Sequence, residues 1–146
     1  MTLQRMDNVL IVVDNLEAAK AFFIAIGMEL EGEMSVEGRS VDLLVGLENV
    51  RCEIATLRTP DGHGRIELDK FHTPAEIRSE PKNTSVNTLG LHRIMFAVDD
   101  IENVLARLRT HGAELVGEVT QYEDMYRLCY IRGPEGIIVA LAQQLK

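Results

Sequence analysis

The stretch NVLIVVDNLEAAKAFFIAIGMELEGE, residues 8–33, is answered 85 positions later by RIMFAVDDIENVLARLRTHGAELVGE, residues 93–118. Laid on each other without a gap, nine of the 26 positions agree: Val13, Asp14, Glu17, Ala21, Gly27, Glu29, Leu30, Gly32 and Glu33. Internal repetition fixes architecture before any detail is read. Each copy opens with a β-branched, apolar run, VLIVV or IMFAV, which predicts a strand. Asp14 and Glu17, and again Asp99 and Glu102, have the spacing of a helix-capping box. Leu16, Ala19, Phe23 and Ile26 then share one helical face, as do Ile101, Val104, Leu105 and Leu108. Gly27 and Gly112 end the helices, as glycine does at a left-handed C-terminal position.

Working outward, MELEGEMSV and AELVGEVTQ predict a second strand in each copy. The first copy continues with GRSVDLLVGL, a short helix or turn, then strands VRCEIATL and RIELDKF about the turn TPDGHG. The second continues with strands MYRLCYIR and IIVALAQ about GPEG. Each half therefore reads βαβββ, and the expected fold is α+β: two tandem βαβββ modules forming a curved mixed sheet, a cup, with helices outside. The boundaries are 1–70 for the first module, 71–90 for a connector and 91–146 for the second module. Thr73-Pro-Ala-Glu76 has the form of a capping box with proline at the first helical position, so the connector is expected to hold a short helix.

Composition narrows the partners. Fifteen basic residues face 23 acidic ones, a net charge of −8, and no basic run stands out. That argues against nucleic acid, whose binding rests on clustered Lys and Arg. No uncharged window reaches the ~18 residues of a membrane helix. Cys52 and Cys129 lie singly in apolar runs, as buried free thiols do in a reducing compartment. The expectation is a cytoplasmic protein.

The two βαβββ modules, with DNVLIVVDNLEAA, GHGRIELDKF, HRIMFAVDDIENVLARLRTHGAEL and GPEGIIVAL, resemble the vicinal oxygen chelate superfamily over nearly the whole chain. That superfamily includes glyoxalase I, methylmalonyl-CoA epimerase, extradiol dioxygenases, and fosfomycin- and bleomycin-resistance proteins. The resemblance implies a small-molecule ligand in the cup and a homodimer. It also implies metal-ligand positions on cup-facing strands, which here hold Asn8, Glu67, Arg93 and Ala140. Only Glu67 is a good ligand. A guanidinium is never one and keeps its charge, so Arg93 would repel a divalent ion. The expectation is thus no cofactor and no metal, with an Arg93–Glu67 pair in its place. A lyase, isomerase or dioxygenase with a divalent metal weakly bound at Glu67 is the alternative.

Two readings of Arg93 and Glu67 stand open: a structural ion pair, or a grip on an anionic or carbonyl-bearing ligand in which Glu67 orients it or acts as a base. Strand alternation puts Arg93 and Met95 on the cup face with their repeat mates Asn8 and Leu10, and turns His92 away. Tyr122, Glu123 and Tyr126 either line the cup or are ordinary strand-surface side chains. His63 reads as a hairpin residue, and His72 as shaping the turn that follows it. The site residues expected are therefore Glu67 as the catalytic group, and Asn8, Arg93, Met95, Tyr122, Glu123 and Tyr126 on the substrate.

Overall fold

The computed structural model describes residues 2 to 145. The chain is mixed α+β and divides into two units, residues 1–77 and 78–146.

In the first unit, β1 (Val9–Val12) leads into α1 (Leu16–Ile26), followed by β2 (Glu29–Glu37), α2 (Arg39–Val45), β3 (Arg51–Arg58) and β4 (Arg65–Thr73). They form an open four-stranded sheet in the order β1-β4-β3-β2. The β1–β4 pair is parallel and the others antiparallel, which requires the α1 crossover. Side chains alternate along β4. Ile66 and Leu68 are buried on one face, with Ala55 and Leu57 of β3 and with Phe22, Phe23 and Ile26 of α1. Lys20 of α1 marks that face: its ammonium reaches Glu33 of β2 at 2.6 Å, and Glu33 stands across from Ala55. The opposite, open face carries Leu10 and Val12 of β1, Thr56 of β3, and Glu67 and Asp69 of β4.

The second unit repeats the plan with β5 (Arg93–Val98), α3 (Ile101–Arg109), β6 (Glu114–Leu115), β7 (Thr120–Tyr122), β8 (Tyr126–Arg132) and β9 (Ile138–Gln144). The sheet order is β5-β9-β8-β6, with β7 also on β8. Here α3 buries Ile101, Val104, Leu105 and Leu108, beside Ile131, Val139 and Leu141 of the sheet. Gln143, on the same face as Leu141, accepts the Ile101 N–H at 2.8 Å and ties the helix start to β9. The other face carries Arg93 and Met95, Ala140 and Ala142, Leu128 and Tyr130.

Three local expectations are corrected. The helix caps fall one residue later than expected. Asn15 Oδ1 accepts from the Ala18 N–H at 3.0 Å, and Asp100 accepts from the Asn103 N–H at 3.1 Å. Asp14 is drawn off by Lys70 at 3.1 Å. The short connector helix at Thr73–Glu76 does not form. Its two capping groups are spent elsewhere, because the Thr73 hydroxyl donates to the Asn49 carbonyl at 2.6 Å and Glu76 pairs with Lys70 at 2.7 Å.

The second copy's AELVGEVTQ strand is also broken. From Leu115 to Thr120 it advances five residues while its partner β8 moves three, Ile131 to Leu128. Two extra residues bulge out and split the strand. In the first copy only one extra residue lies between Leu30 and Gly32, and β2 continues through it.

Candidate functional site

On the first unit's open face, Leu10 stands beside Glu67 and Val12 beside Asp69 in the parallel register. Glu67 and Asp69 are two apart on β4, so both carboxyl groups rise from the same face. Glu67 is half-buried and Asp69 is 7% exposed. Burial, then a hydrogen bond with Glu67 and that neighbour's charge, push the Asp69 carboxyl up to about 7. Its Oδ1 is buried with no hydrogen-bond partner. A carboxyl group so buried beside another carboxylate ionises only at a cost, so Asp69 keeps its proton well above the usual carboxylate range. Cys52, on the same face, is pushed up to about 12 by burial and by the neighbouring Asp69. It remains a thiol and is no nucleophile. Burial raises Cys129 as well.

The second unit's open face has the opposite character. Arg93 opens β5, and its Nη1 donates to the Tyr130 hydroxyl at 2.7 Å. The guanidinium carbon also lies 5.6 Å from the Tyr130 ring centroid, within cation–π range. Among the described residues of this unit, no carboxylate pairs with Arg93. The cation is therefore held by a hydroxyl and a ring while its charge stays uncompensated there. Beside it opens a cavity of ≈360 Å³ lined by Val86, Gly90, Leu91, His92, Arg93, Tyr130 and Ile138. The segment that supplies Val86, Gly90 and Leu91 is anchored. Arg132 donates to the carbonyl of Thr84 at 2.6 Å and to that of Gly136 at 2.9 Å.

The expected residues separate into groups. Asn8 is exposed, one residue before β1. Met95 is 42% exposed and two residues along from Arg93 on the same face. Tyr122 and Tyr126 pair across β7 and β8, with Glu123 at a positive φ of 51° in the turn between them. They share the open face with Tyr130, but four residues of strand put Tyr126 roughly 13 Å from Tyr130. The structure therefore keeps Tyr122, Glu123 and Tyr126 apart from Arg93.

Sequence reasoning missed two residues, Tyr130 and Asp69. Tyr130 could have been found, since it sits across β9 from Met95, through Ala140. Asp69 could have been read from its i+2 spacing to Glu67. His92 also differs: it precedes β5, so strand alternation does not govern it, and it lines the Arg93 cavity.

The residues at the family's metal positions do not fit a divalent ion. Asn8 offers a carboxamide, Glu67 a carboxylate, Ala140 a methyl group, and Arg93 a cation already bonded to Tyr130.

Comparison with known proteins places this architecture. The chain is 25% identical over 143 residues to the uncharacterised protein YaeR of Escherichia coli (strain K12), covering 97% of this chain and 98% of that one. A solved structure of a glyoxalase family protein from Bacillus cereus is 53% identical and superposes with a TM-score of 0.95, covering 100% of this chain and 97% of its own. An antibiotic binding protein from a Streptomyces species shares the fold, at 17% identity and a TM-score of 0.58, with 99% and 98% of the two chains covered. The model of the Glyoxalase/Bleomycin resistance protein/Dioxygenase superfamily matches residues 5–141, and the chain belongs to that superfamily.

Proposed function

We propose that the chain binds a small polar or anionic molecule on the open face of its second unit, with Arg93 as the grip and no divalent metal in that role. The observation that carries this is the Arg93 guanidinium, fixed by Tyr130 at 2.7 Å beside a ≈360 Å³ cavity. A guanidinium so placed keeps its charge at any working pH and offers further N–H donors in a planar fork. Ligands favour cavities of about this size, mostly apolar with a few placed polar groups. Glu67, on the first unit's open face, is no part of this grip and enters only in the competing enzymatic reading below. Pairing of two chains and a cytoplasmic setting belong to the same proposal. Among the described residues no helix is long and apolar enough to cross a membrane.

The test is a thermal-shift screen of small carboxylates, thiol conjugates and antibiotics on the wild type and on Arg93→Ala. A ligand at a hundred times its Kd stabilises the folded state by about 2.7 kcal/mol. Carboxylates are expected to raise the wild-type melting temperature and to leave Arg93→Ala unmoved. The competing reading, a divalent-metal lyase, isomerase or dioxygenase, draws on the Glu67 and Asp69 carboxyl groups. Metal analysis of the purified protein decides between them, and a stoichiometric tight metal would overturn the proposal.

A further inference from the structure

We infer that Tyr130 completes the grip with Arg93, and that the molecule they hold is a small monocarboxylate carrying a branched or aromatic apolar body. The inference rests on the proposed Arg93 site and specifies its ligand. The reasoning begins with the hydrogen bond. Arg93 Nη1 donates to the Tyr130 oxygen at 2.7 Å, so that oxygen is the acceptor. The hydroxyl proton of Tyr130 is then free for another acceptor, while Arg93 keeps its remaining N–H groups. The pair thus presents donors from two side chains and no acceptor of its own facing them. A planar carboxylate, with an oxygen for each, satisfies both.

The charge fits one negative unit. Among the described residues, Arg93 is the one permanently charged side chain lining the cavity. Arg132 stands in the same cross-strand row, through Ile138, but its N–H groups are turned to the carbonyls of Thr84 and Gly136 and it is not among the side chains that line the cavity. A dianion such as phosphate would leave one charge without a partner, which a mostly apolar cavity disfavours.

The walls specify the body of the ligand. Val86, Leu91 and Ile138 are aliphatic, and Leu91 is 81% and Val86 41% exposed. Covering such groups with an apolar ligand body is favourable at about 25 cal/mol per Å². The strap that bears Val86 and Leu91 is held in place before any ligand arrives. Arg132 clamps it at Thr84, and Gly136 packs so tightly that an added Cβ would lie 2.7 Å from the Lys82 carbonyl oxygen. Preorganised walls reduce the ordering cost of binding.

Titration calorimetry with phenylacetate, phenylacetamide, acetate and inorganic phosphate tests this on the wild type, Tyr130→Phe and Arg93→Ala. Phenylacetate is expected to bind the wild type about tenfold or more tighter than the neutral amide, acetate or phosphate. Tyr130→Phe keeps the ring and removes one donor, so phenylacetate affinity should fall about tenfold. Wild-type affinity in Tyr130→Phe would remove Tyr130 from the grip. If acetate or phosphate binds as tightly as phenylacetate, and in an Arg93-dependent way, the ligand class is wrong while the Arg93 site stands. If none of the four binds in an Arg93-dependent way, the site and its ligand fall together. Should Tyr130→Phe fold poorly, the acid-against-amide comparison on the wild type decides alone.

Discussion

The two units use one backbone plan to present opposite chemistry. In each, a parallel pair joins the opening strand to the last strand, and a helix covers one face. The open faces then diverge at matched positions. Leu10 pairs with Glu67 in the first unit and Met95 with Ala140 in the second, so Glu67 and Ala140 are equivalent. By the same register Asp69 corresponds to Ala142, Thr56 to Tyr130, and Asn8 to Arg93. One face holds two neighbouring carboxyl groups, of which Asp69 is buried and holds its proton to about 7. The other has lost both and gained a guanidinium and a phenol. A duplicated scaffold can keep its helix-side core and change the charge of its open face, because alternating side chains on a strand leave the two faces independent.

If the cores are equivalent, large-to-small changes in them should cost alike. Phe23→Ala in the first unit and Leu108→Ala in the second each remove a fully buried side chain. Losses of about 3–5 kcal/mol are expected for both in urea unfolding. A cost confined to one unit would break the equivalence of the cores.

The glycines should differ. At Gly136, with φ 75°, an added Cβ would collide with Asn83 Oδ1 and lie 2.7 Å from the Lys82 carbonyl oxygen. Gly136→Ala is expected to cost about 2–3 kcal/mol. At Gly27 the φ is also positive but nothing lies within 4 Å, so Gly27→Ala should cost only about 1 kcal/mol. Melting curves of the two variants check the order.

The carboxyl pair makes the first unit pH-sensitive. An unfolded aspartate releases its proton near 4, while folded Asp69 holds one until about 7. Between those values the folded state binds more protons than the unfolded one. The stability from Asp69 is therefore full below pH 4 and is lost as pH rises through 7. Asp69→Asn should flatten that decline and, at pH 8, stabilise the protein by on the order of 2 kcal/mol. A wild type equally stable at pH 5 and pH 8, once other titrations are subtracted with the variant, would contradict the proton held by buried Asp69. Smallest of all, Asn15→Ala and Asp100→Ala should each cost about 1 kcal/mol, against almost nothing for Asp99→Ala.

Much of this fold was legible because the repeat is densest where local rules are strongest. Strand, helix face and terminal glycine recur in residues 8–33 and 93–118 at a constant spacing of 85. That register is lost further on, where loop lengths differ. Glu67 and Ala140 are equivalent in space at a spacing of 73. The caps were misplaced by one because Asn15 and Asp100 follow Asp14 and Asp99, and a sequence does not say which carboxyl a distant Lys70 will claim. The connector helix failed for the same reason, through Asn49 and Lys70. At the site, the face of Arg93 followed from alternation, whereas its partner Tyr130 depends on a strand pairing made 37 residues away.

The contrast between the faces comes down to which unit holds an anion. Calorimetry with phenylacetate, run side by side on the wild type, Arg93→Ala and Glu67→Gln, measures it. The account predicts that Arg93→Ala weakens binding by about a hundredfold while Glu67→Gln stays within about threefold of the wild type. Binding that survives Arg93→Ala but disappears in Glu67→Gln would place the ligand on the carboxylate face and contradict it.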